Sequence, residues 1–336
     1  MTSQVVLITG SSKGIGLELA LHLARDLQRR FKVYATMRNQ STRQDDLKAK
    51  AGSSLDVTLF IRELDVTKQE TIDKTVKEIV EREGRIDILA KDDLKAKAGS
   101  SLDDTLFIRE LDVTKQETID KTVKEIADSE GRIDVLVNNA GVLTPHWWET
   151  GPTKSFYDIM EVNFFGCVRM TKAVVPYMKK QRSGRILQFS SVIGLKAVPE
   201  LAQYISTKFA LEGFSESIAP PLRKFNVWVS VIQIGHVITE MTAQFGPNPT
   251  ALLKVAAKEI PEDTRGIVER MVSTNPEDVY GSEVQTTGDI AKFMEEVILS
   301  EKPNFRYQTS QSIQEVARRR LLDPTGNEMM DTWMQQ

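Results

Sequence analysis

Residues 5–16 read Val5-Val6-Leu7-Ile8-Thr9-Gly10-Ser11-Ser12-Lys13-Gly14-Ile15-Gly16. The four apolar, β-favouring residues predict a buried parallel strand, and the periodic apolar residues after the glycines, from Leu17 to Ala24, predict a helix. Gly10 permits a tight turn between them, while Gly14 and Gly16 let the backbone and the helix N-terminus approach a pyrophosphate. We therefore predict an α/β fold with a doubly wound parallel sheet and a dinucleotide site at this turn. An ordinary Gly-rich surface turn is the alternative.

A second group of candidate residues lies in the middle of the chain. Tyr204 and Lys208 are four residues apart and would share one face of a helix, so the Lys208 ammonium can stabilise the ionised phenol of Tyr204. Tyr204 is then a candidate general acid/base. Ser191 comes directly after the apolar run 185–190 and can hold a carbonyl or alcohol oxygen by a hydrogen bond. Alone, the Tyr-x-x-x-Lys pair is weak, because ordinary helix surface carries many such pairs.

Five motifs occur in a fixed order: Thr9-Gly10-x-x-x-Gly14-x-Gly16, Asn138-Asn139-Ala140-Gly141, Asn163, Ser191 and Tyr204-x-x-x-Lys208. This order resembles that of the short-chain dehydrogenases/reductases. The stretches 33–38, 163–166 and 206–217 look most like the branch that contains 17-beta-hydroxysteroid dehydrogenase type 1 and retinol dehydrogenase type 8. The resemblance covers nearly the whole chain apart from one repeated segment.

The resemblance implies a Rossmann-type oxidoreductase that interconverts a lipophilic alcohol and its ketone or aldehyde, of the steroid 17-hydroxyl or retinol class. It implies that Tyr204 donates the proton, Lys208 also binds the cofactor ribose, Ser191 positions the oxygen, and Asn163 holds a helix kink and a relay water. The residues that it places around the cofactor are Gly10, Ser11, Ser12, Lys13, Gly14, Ile15, Gly16, Asp112, Val113, Asn139, Ala140, Gly141, Tyr204, Lys208, Val237 and Thr239.

The charges near the second predicted strand favour NADP(H) over NAD(H). NAD-preferring folds of this type place an Asp or Glu there to bind the ribose 2′-hydroxyl, but this chain has Thr36-Met37-Arg38. Arg38, with Lys13 in the Gly turn, can hold a 2′-phosphate. Two unrelated surface cations are the alternative.

The repeated segment comprises residues 45–89, which recur at 92–136 with 40 identities in 45 aligned positions. An array would need about three or more copies of its unit to form a continuous core. We therefore interpret the repeat as a duplicated α-β-α-β unit, or a misassembled coding sequence, inside a single domain. The predicted organisation is a dehydrogenase domain over 1–310, with duplicate copies at 45–91 and 92–137, and a C-terminal helical extension over 311–336.

A doubly wound sheet has one place for that unit. In the second copy, the elements predicted are a helix over 93–98, a strand over 105–113, a helix over 115–130 and a strand start over 133–137. We favour this copy, because it runs directly into Asn138-Asn139-Ala140-Gly141, whereas the first ends in Leu89-Ala90-Lys91. The reverse assignment stays open, and Asp65-Val66 would then replace Asp112-Val113.

The composition agrees with a protein that binds neither nucleic acid nor metal. The net charge of −3 is spread over interspersed acidic and basic residues, and the single cysteine, Cys167, excludes an intrachain disulfide. Neither a signal peptide nor an apolar stretch of about 18 residues occurs. We expect a cytoplasmic homodimer, with peripheral attachment to membranes left open.

Several residues depart from the family pattern. Ile234-Gly235-His236 replaces Pro-Gly-Pro, and we expect His236 in an exposed loop, with a substrate contact as the alternative. Pro220 and Pro221 predict an early end of the helix that starts near Tyr204. Trp147 and Trp148 fit either a lid over an apolar substrate or the core. A catalytically impaired nucleotide-binding or interaction protein of the same fold is therefore the rival hypothesis.

Overall fold

The computed structural model describes residues 3–37, 106–143, 146–243, 259–273 and 283–322. They all lie in one compact unit, formed by Met1–Arg38 and Ser100–Gln336. Arg38, the first repeat copy with Asp65-Val66, and the helix predicted over 93–98 lie outside the described residues.

Within the described residues, one sheet has seven strands in the order β3-β2-β1-β4-β5-β6-β9, and all its pairs are parallel. Its strands are β1 (Gln4–Ile8), β2 (Phe31–Met37), β3 (Leu106–Glu110), β4 (Val135–Asn138), β5 (Gly184–Phe189), β6 (Val227–Gln233) and β9 (Arg306–Gln308). The short strands β7 (His236–Val237) and β8 (Val284–Gln285) pair separately. The predicted doubly wound parallel sheet is confirmed.

Helices connect these strands, and one more helix follows β9. They are α1 (Gly14–Ala24), α2 (Gln116–Glu130), α3 (Thr153–Met160), α4 (Gly166–Gln181), α5 (Ala202–Arg223), α6 (Glu240–Ala243), α7 (Glu262–Ser273), α8 (Thr287–Leu299) and α9 (Gln311–Leu322). A π-helical segment (Glu161–Phe165) joins α3 to α4, and 3-10 turns cover Val192–Gly194 and Pro199–Leu201.

The core lies on both faces of the sheet. Val5 and Leu7 pack in one cluster with Ile119 of α2 and Met170 of α4. Val6 and Ile8 point to the opposite face, because side chains alternate along a strand, and they too are fully buried. A strand that is covered on both faces needs a continuous apolar run, such as the one from Val5 to Ile8.

The second repeat copy supplies β3, α2 and β4. Its strand pairs with β2 from Val33 opposite Leu106 to Met37 opposite Glu110, as the preference for this copy predicts. The strand ends earlier than predicted, because the carboxylate of Asp112 accepts a hydrogen bond from the Thr114 backbone N–H at 3.0 Å and turns the chain.

The predicted early end of the helix at Pro220 and Pro221 is wrong, since α5 continues to Arg223. A proline removes the hydrogen bond to the carbonyl four residues earlier. Those carbonyls belong to Glu216 and Ser217, which are exposed, so water can satisfy them. Leu222, just beyond the prolines, is buried in the core and favours continuation of the helix.

Candidate active site

The turn after β1 favours glycine at three places. Gly10 and Gly14 have φ values of +68° and +59°, the left-handed region that side chains disfavour. A Cβ on Gly16 would lie 2.4 Å from Asn139 Nδ2 and 2.6 Å from the carbonyl oxygen of Gly10. These glycines therefore let the turn and the start of α1 pack closely against the loop of Asn139 and Ala140.

Hydrogen bonds join this turn to the one after β4. Thr9 Oγ1 accepts bonds from the backbone N–H groups of Asn139 and Ala140, at 3.1 and 3.0 Å. Asn139 Nδ2 donates to the carbonyls of Thr9 and Gly10, at 2.9 and 3.1 Å. The predicted motifs that contain Gly10 and Asn139 thus meet at the carboxyl ends of the neighbouring strands β1 and β4. The sequence pattern alone predicts no role for the Thr9 hydroxyl, although Thr9 stands directly before Gly10 in the first motif.

The remaining residues of the Gly turn differ in their surroundings. Ser11 is buried, with its hydroxyl donating to the carbonyl of Ile8 at 3.2 Å, whereas Ser12 and Ile15 are half-buried. Lys13 Nζ lies 3.5 Å from Glu240 Oε2 at the start of α6. Lys13 therefore shares its charge with a carboxylate.

Lys208 lies beside Tyr204 on α5, as the spacing predicts. Its Nζ is 5.2 Å from the centroid of the Tyr204 ring and donates a hydrogen bond to the carbonyl of Phe189 at 2.7 Å. Lys208 is buried, and Tyr204 packs against the apolar cluster that contains Val192 and Ile193. Because Phe189 ends β5 and Val192 comes after Ser191, the strand end and the helix face are close together.

The two neighbouring serines have different surroundings. Ser191 is half-buried, and its hydroxyl donates to the carbonyl of Ile234 at 3.3 Å. Ser190 is buried, and its hydroxyl has no hydrogen-bond partner among the described residues. A Cβ on Gly194 would lie 2.7 Å from Ser190 Oγ, so this hydroxyl lies beneath the 3-10 turn.

Asn163 occupies the middle of the π-helical segment and is fully buried. Its side chain exchanges hydrogen bonds with the backbone of Val142, at 2.8 and 2.9 Å, and donates to Thr207 Oγ1 at 3.3 Å. Asn163 therefore connects the irregular helix to α5 and to the chain just after Gly141.

The other predicted cofactor residues lie around the same edge. Val113 packs against Gly166, where a Cβ would be 2.8 Å from Val113 Cγ2. Val237 is buried in β7, and Thr239 lies against Gly14, 3.6 Å from the position of a Cβ there. The segment after β6 thus lies next to the Gly turn.

The structure separates the two tryptophans. Trp147 is buried with Ile260 and Val268 of the α7 region, whereas Trp148 is 54% exposed. Of the two predicted roles, a lid over the substrate or part of the core, Trp147 therefore has the second. His236 is half-buried in β7 and not in an exposed loop as expected, and burial lowers its pKa.

Two further features concern the described residues as a group. No three His, Cys, Asp or Glu side chains in the described ranges are arranged to hold a metal ion. None of the helices that the structure describes combines the length and apolar character needed to cross a membrane.

The chain belongs to the short-chain dehydrogenase family, whose model matches residues 4–92 and 91–250. The bovine protein retinol dehydrogenase 8 is 32% identical over 327 residues, which cover 96% of this chain and 87% of that protein. Human 17-beta-hydroxysteroid dehydrogenase type 1 is 30% identical over 329 residues, covering 97% of this chain and 84% of that protein. The predicted family and branch are confirmed.

Solved structures confirm the fold. A short-chain dehydrogenase from Streptomyces avermitilis superposes with a TM-score of 0.62 at 21% identity, covering 98% of this chain and 96% of its own. ElxO with NADP bound gives a TM-score of 0.60 at 22% identity, covering 94% of this chain and all of its own.

Proposed function

We propose that this protein is an NADP(H)-dependent oxidoreductase that interconverts a lipophilic alcohol and its ketone or aldehyde, with Tyr204 as the acid/base. The observation that carries the proposal is the position of Lys208, held by the Phe189 carbonyl at 2.7 Å and next to the Tyr204 ring. Relatives named for retinol and for a 17-beta-hydroxysteroid support a retinoid or steroid substrate.

The residues present fit a dinucleotide. The turn of Gly10, Gly14 and Gly16 leads directly into the N-terminus of α1, where N–H groups and the helix dipole favour a pyrophosphate. When bound, the nicotinamide supplies or accepts the hydride. We assign the 2′-phosphate to Arg38 and Lys13, and the adenine end to Asp112 and Val113.

We assign the ribose and nicotinamide to a second set of residues: Asn139, Ala140, Gly141, Lys208, Val237 and Thr239. The hydrogen bonds between Asn139 and the Gly turn support this assignment, because they fix the two loops relative to each other. Thr239 supports it too, since it lies against Gly14.

Proton transfer is assigned to α5 and the strand end. During reduction Tyr204 donates its phenolic proton to the carbonyl oxygen, and the Lys208 ammonium stabilises the phenolate that remains. Ser191 donates a hydrogen bond to the same oxygen, which requires its hydroxyl to leave the Ile234 carbonyl. Asn163 supports α5 through Thr207 and is assigned the relay water.

We also propose a cytoplasmic homodimer. Tyr157, Phe165 and Phe209 expose aromatic rings on α3, the π-helical segment and α5. Exposed aromatic side chains on neighbouring helices favour contact with a second copy, because burial would remove apolar surface from water. Static light scattering of the protein should give twice the chain mass.

The activity test uses NADPH with a panel of retinoid aldehydes and steroid ketones. Tyr204→Phe should keep the NADPH dissociation constant and lower turnover by about 100- to 10,000-fold, because only the phenolic hydroxyl is lost. Ser191→Ala should also lower turnover. Ser190→Ala is the matched control and should be mild, since the Ser190 hydroxyl has no partner among the described residues.

Two outcomes would contradict the proposal. An active Ser191→Ala variant beside an inactive Ser190→Ala variant would move the site by one residue. NADPH binding without turnover of any carbonyl would favour the catalytically impaired nucleotide-binding protein.

A further inference from the structure

Glu212 is a buried carboxylate on the same face of α5 as the proposed catalytic pair. Tyr204, Lys208 and Glu212 are spaced at intervals of four residues, and such positions share a helix face. Glu212 is only 8% exposed. Acidic side chains are almost never buried to this degree unless they are paired, so its partners matter.

Those partners come from two strands. Glu212 Oε1 accepts a hydrogen bond from Gln233 Nε2 at 2.9 Å, and Oε2 accepts one from Arg306 Nε at 3.1 Å. Gln233 in turn accepts a bond from Gln308 Nε2 at 2.5 Å. We call these four residues the Glu212 cluster. It joins α5 to β6 and β9 through side chains.

The Glu212 cluster lies next to the proposed oxygen-binding serine. Gln233 is the last residue of β6, and the carbonyl of the next residue, Ile234, accepts the Ser191 hydroxyl at 3.3 Å. The same carbonyl accepts the backbone N–H of Val192 at 2.8 Å. Glu212 therefore bonds the end of the same strand whose next residue, Ile234, accepts the hydrogen bond from Ser191.

The 3-10 turn after Ser191 touches the same part of α5. A Cβ placed on Gly194 would be 3.4 Å from Lys208 Cβ and 3.7 Å from Glu212 Cγ. The stretch of α5 between Lys208 and Glu212 thus packs directly on the turn. A rotation of α5 about its axis would change the distance from Lys208 Nζ to the Phe189 carbonyl.

We propose that Glu212 is a positioning residue, which holds α5 against β6 through Gln233 and Arg306 and so sets the placement of Lys208 and Tyr204 relative to Ser191. Its effect on turnover rests on the proposed function. The carboxylate suits this role because it is acceptor-only and both of its partners are donors. An amide in its place would direct an NH₂ group at one of those donors.

Glu212→Gln tests the proposal with nearly unchanged volume, and Glu216→Gln is the matched control. Glu216 also bonds Arg306, at 2.8 Å, but lies one turn further from Tyr204 and its side chain is 66% exposed. At saturating NADPH, Glu212→Gln should lower kcat by about 10- to 100-fold, the effect of a small misplacement of catalytic groups. KM for the carbonyl should change by less than about twofold.

The pH profile separates positioning from a general loss of structure. In Glu212→Gln the high-pH limb of kcat should move, because Lys208 no longer lies correctly beside the phenol, whereas Glu216→Gln should keep the wild-type profile. Arg306→Lys keeps the positive charge with fewer hydrogen-bond donors and should lower kcat less than Glu212→Gln does. This variant replaces Glu212→Gln in the test if Glu212→Gln does not fold.

Hydrogen exchange at the amides of 202–212 tests the cluster without turnover. Glu212→Gln should exchange there at least about tenfold faster than Glu216→Gln. Wild-type protein that binds NADPH but reduces nothing would refute the proposed function, and exchange would then decide this inference. Unchanged kcat, pH profile and exchange in Glu212→Gln, or equal effects in Glu216→Gln, would overturn it.

Discussion

Gly10→Ala tests whether the junction of the two cofactor loops is as tightly packed as the structure shows. Gly10 has a φ of +68°, and a Cβ there would be 2.7 Å from the Cα of Ala140. Gly131, at the end of α2, has a φ of +70° with nothing within 4 Å of its Cβ position. The two glycines therefore have nearly the same positive φ and differ in steric contact.

The expected magnitudes result from this difference. A left-handed alanine costs about 1–2 kcal/mol, of which about 0.4–1 kcal/mol is recovered from the unfolded chain. Gly131→Ala should thus lower the free energy of unfolding by at most about 1.6 kcal/mol. Gly10→Ala adds a contact with backbone that cannot move freely, and overpacking costs about 1–3 kcal/mol more. We expect a total loss of about 1–4.6 kcal/mol.

Urea unfolding of both variants, monitored by circular dichroism, measures the two losses on one scale. The NADPH dissociation constant should rise for Gly10→Ala and stay at the wild-type value for Gly131→Ala, because only the former displaces Ala140. Equal losses of stability in the two variants would refute the packing argument, since backbone conformation alone would then explain both.

Three further predictions concern the cofactor, the repeat and pH. Arg38→Asp should weaken NADPH binding much more than NADH binding in a fluorescence titration, and equal weakening would remove the assignment of the 2′-phosphate. Deleting residues 45–91 keeps the copy that pairs with β2 and should raise soluble yield and melting temperature; an unfolded product would mean that both copies are structural. Burial and a hydrogen bond to Glu130 raise the pKa of Tyr34 to about 12, so its phenol stabilises the fold below about pH 10 and this contribution is lost as the pH rises to about 12. Urea unfolding at about pH 9 and about pH 12 measures how much the unfolding free energy decreases between the two pH values. This decrease should be smaller in Tyr34→Phe than in the wild type, by at most about 2.7 kcal/mol at about 1.36 kcal/mol per pKa unit. An equal decrease in both proteins would contradict this.

The sequence predicts the fold well where one local signal dominates. The apolar run before Gly10 requires burial on both faces, and the structure places it in the centre of the parallel sheet. The prediction at Pro220 and Pro221 failed because it considered only the helix backbone. Whether a freed carbonyl meets water or the core depends on the tertiary environment, which the linear sequence does not specify.

The candidate site shows the same limit. The i, i+4 spacing places Lys208 beside Tyr204, because both residues lie on one helix. The hydroxyl of Thr9 bonds the backbone of Asn139, and the carboxylate of Glu212 bonds Arg306. Both partners are far away in the sequence. No local pattern reveals such pairs. They require knowledge of which strand ends lie side by side.

The repeat shows how a distant contact can decide between nearly identical segments. Residues 106–110 of β3 and the corresponding residues 59–63 of the first copy have the same sequence, so pairing with β2 gives no basis for a choice. The copies differ in the residues directly after them. Only the second continues into Asn139 and Ala140, whose backbone N–H groups bond the Thr9 hydroxyl. The side-chain amide of Asn139 also donates to the carbonyls of Thr9 and Gly10. The family model also matches twice, with the break at residues 91–92, between the copies. We therefore attribute the placement of the second copy to the loop after β4 and not to its strand, because that loop completes the turn on which the cofactor assignment depends.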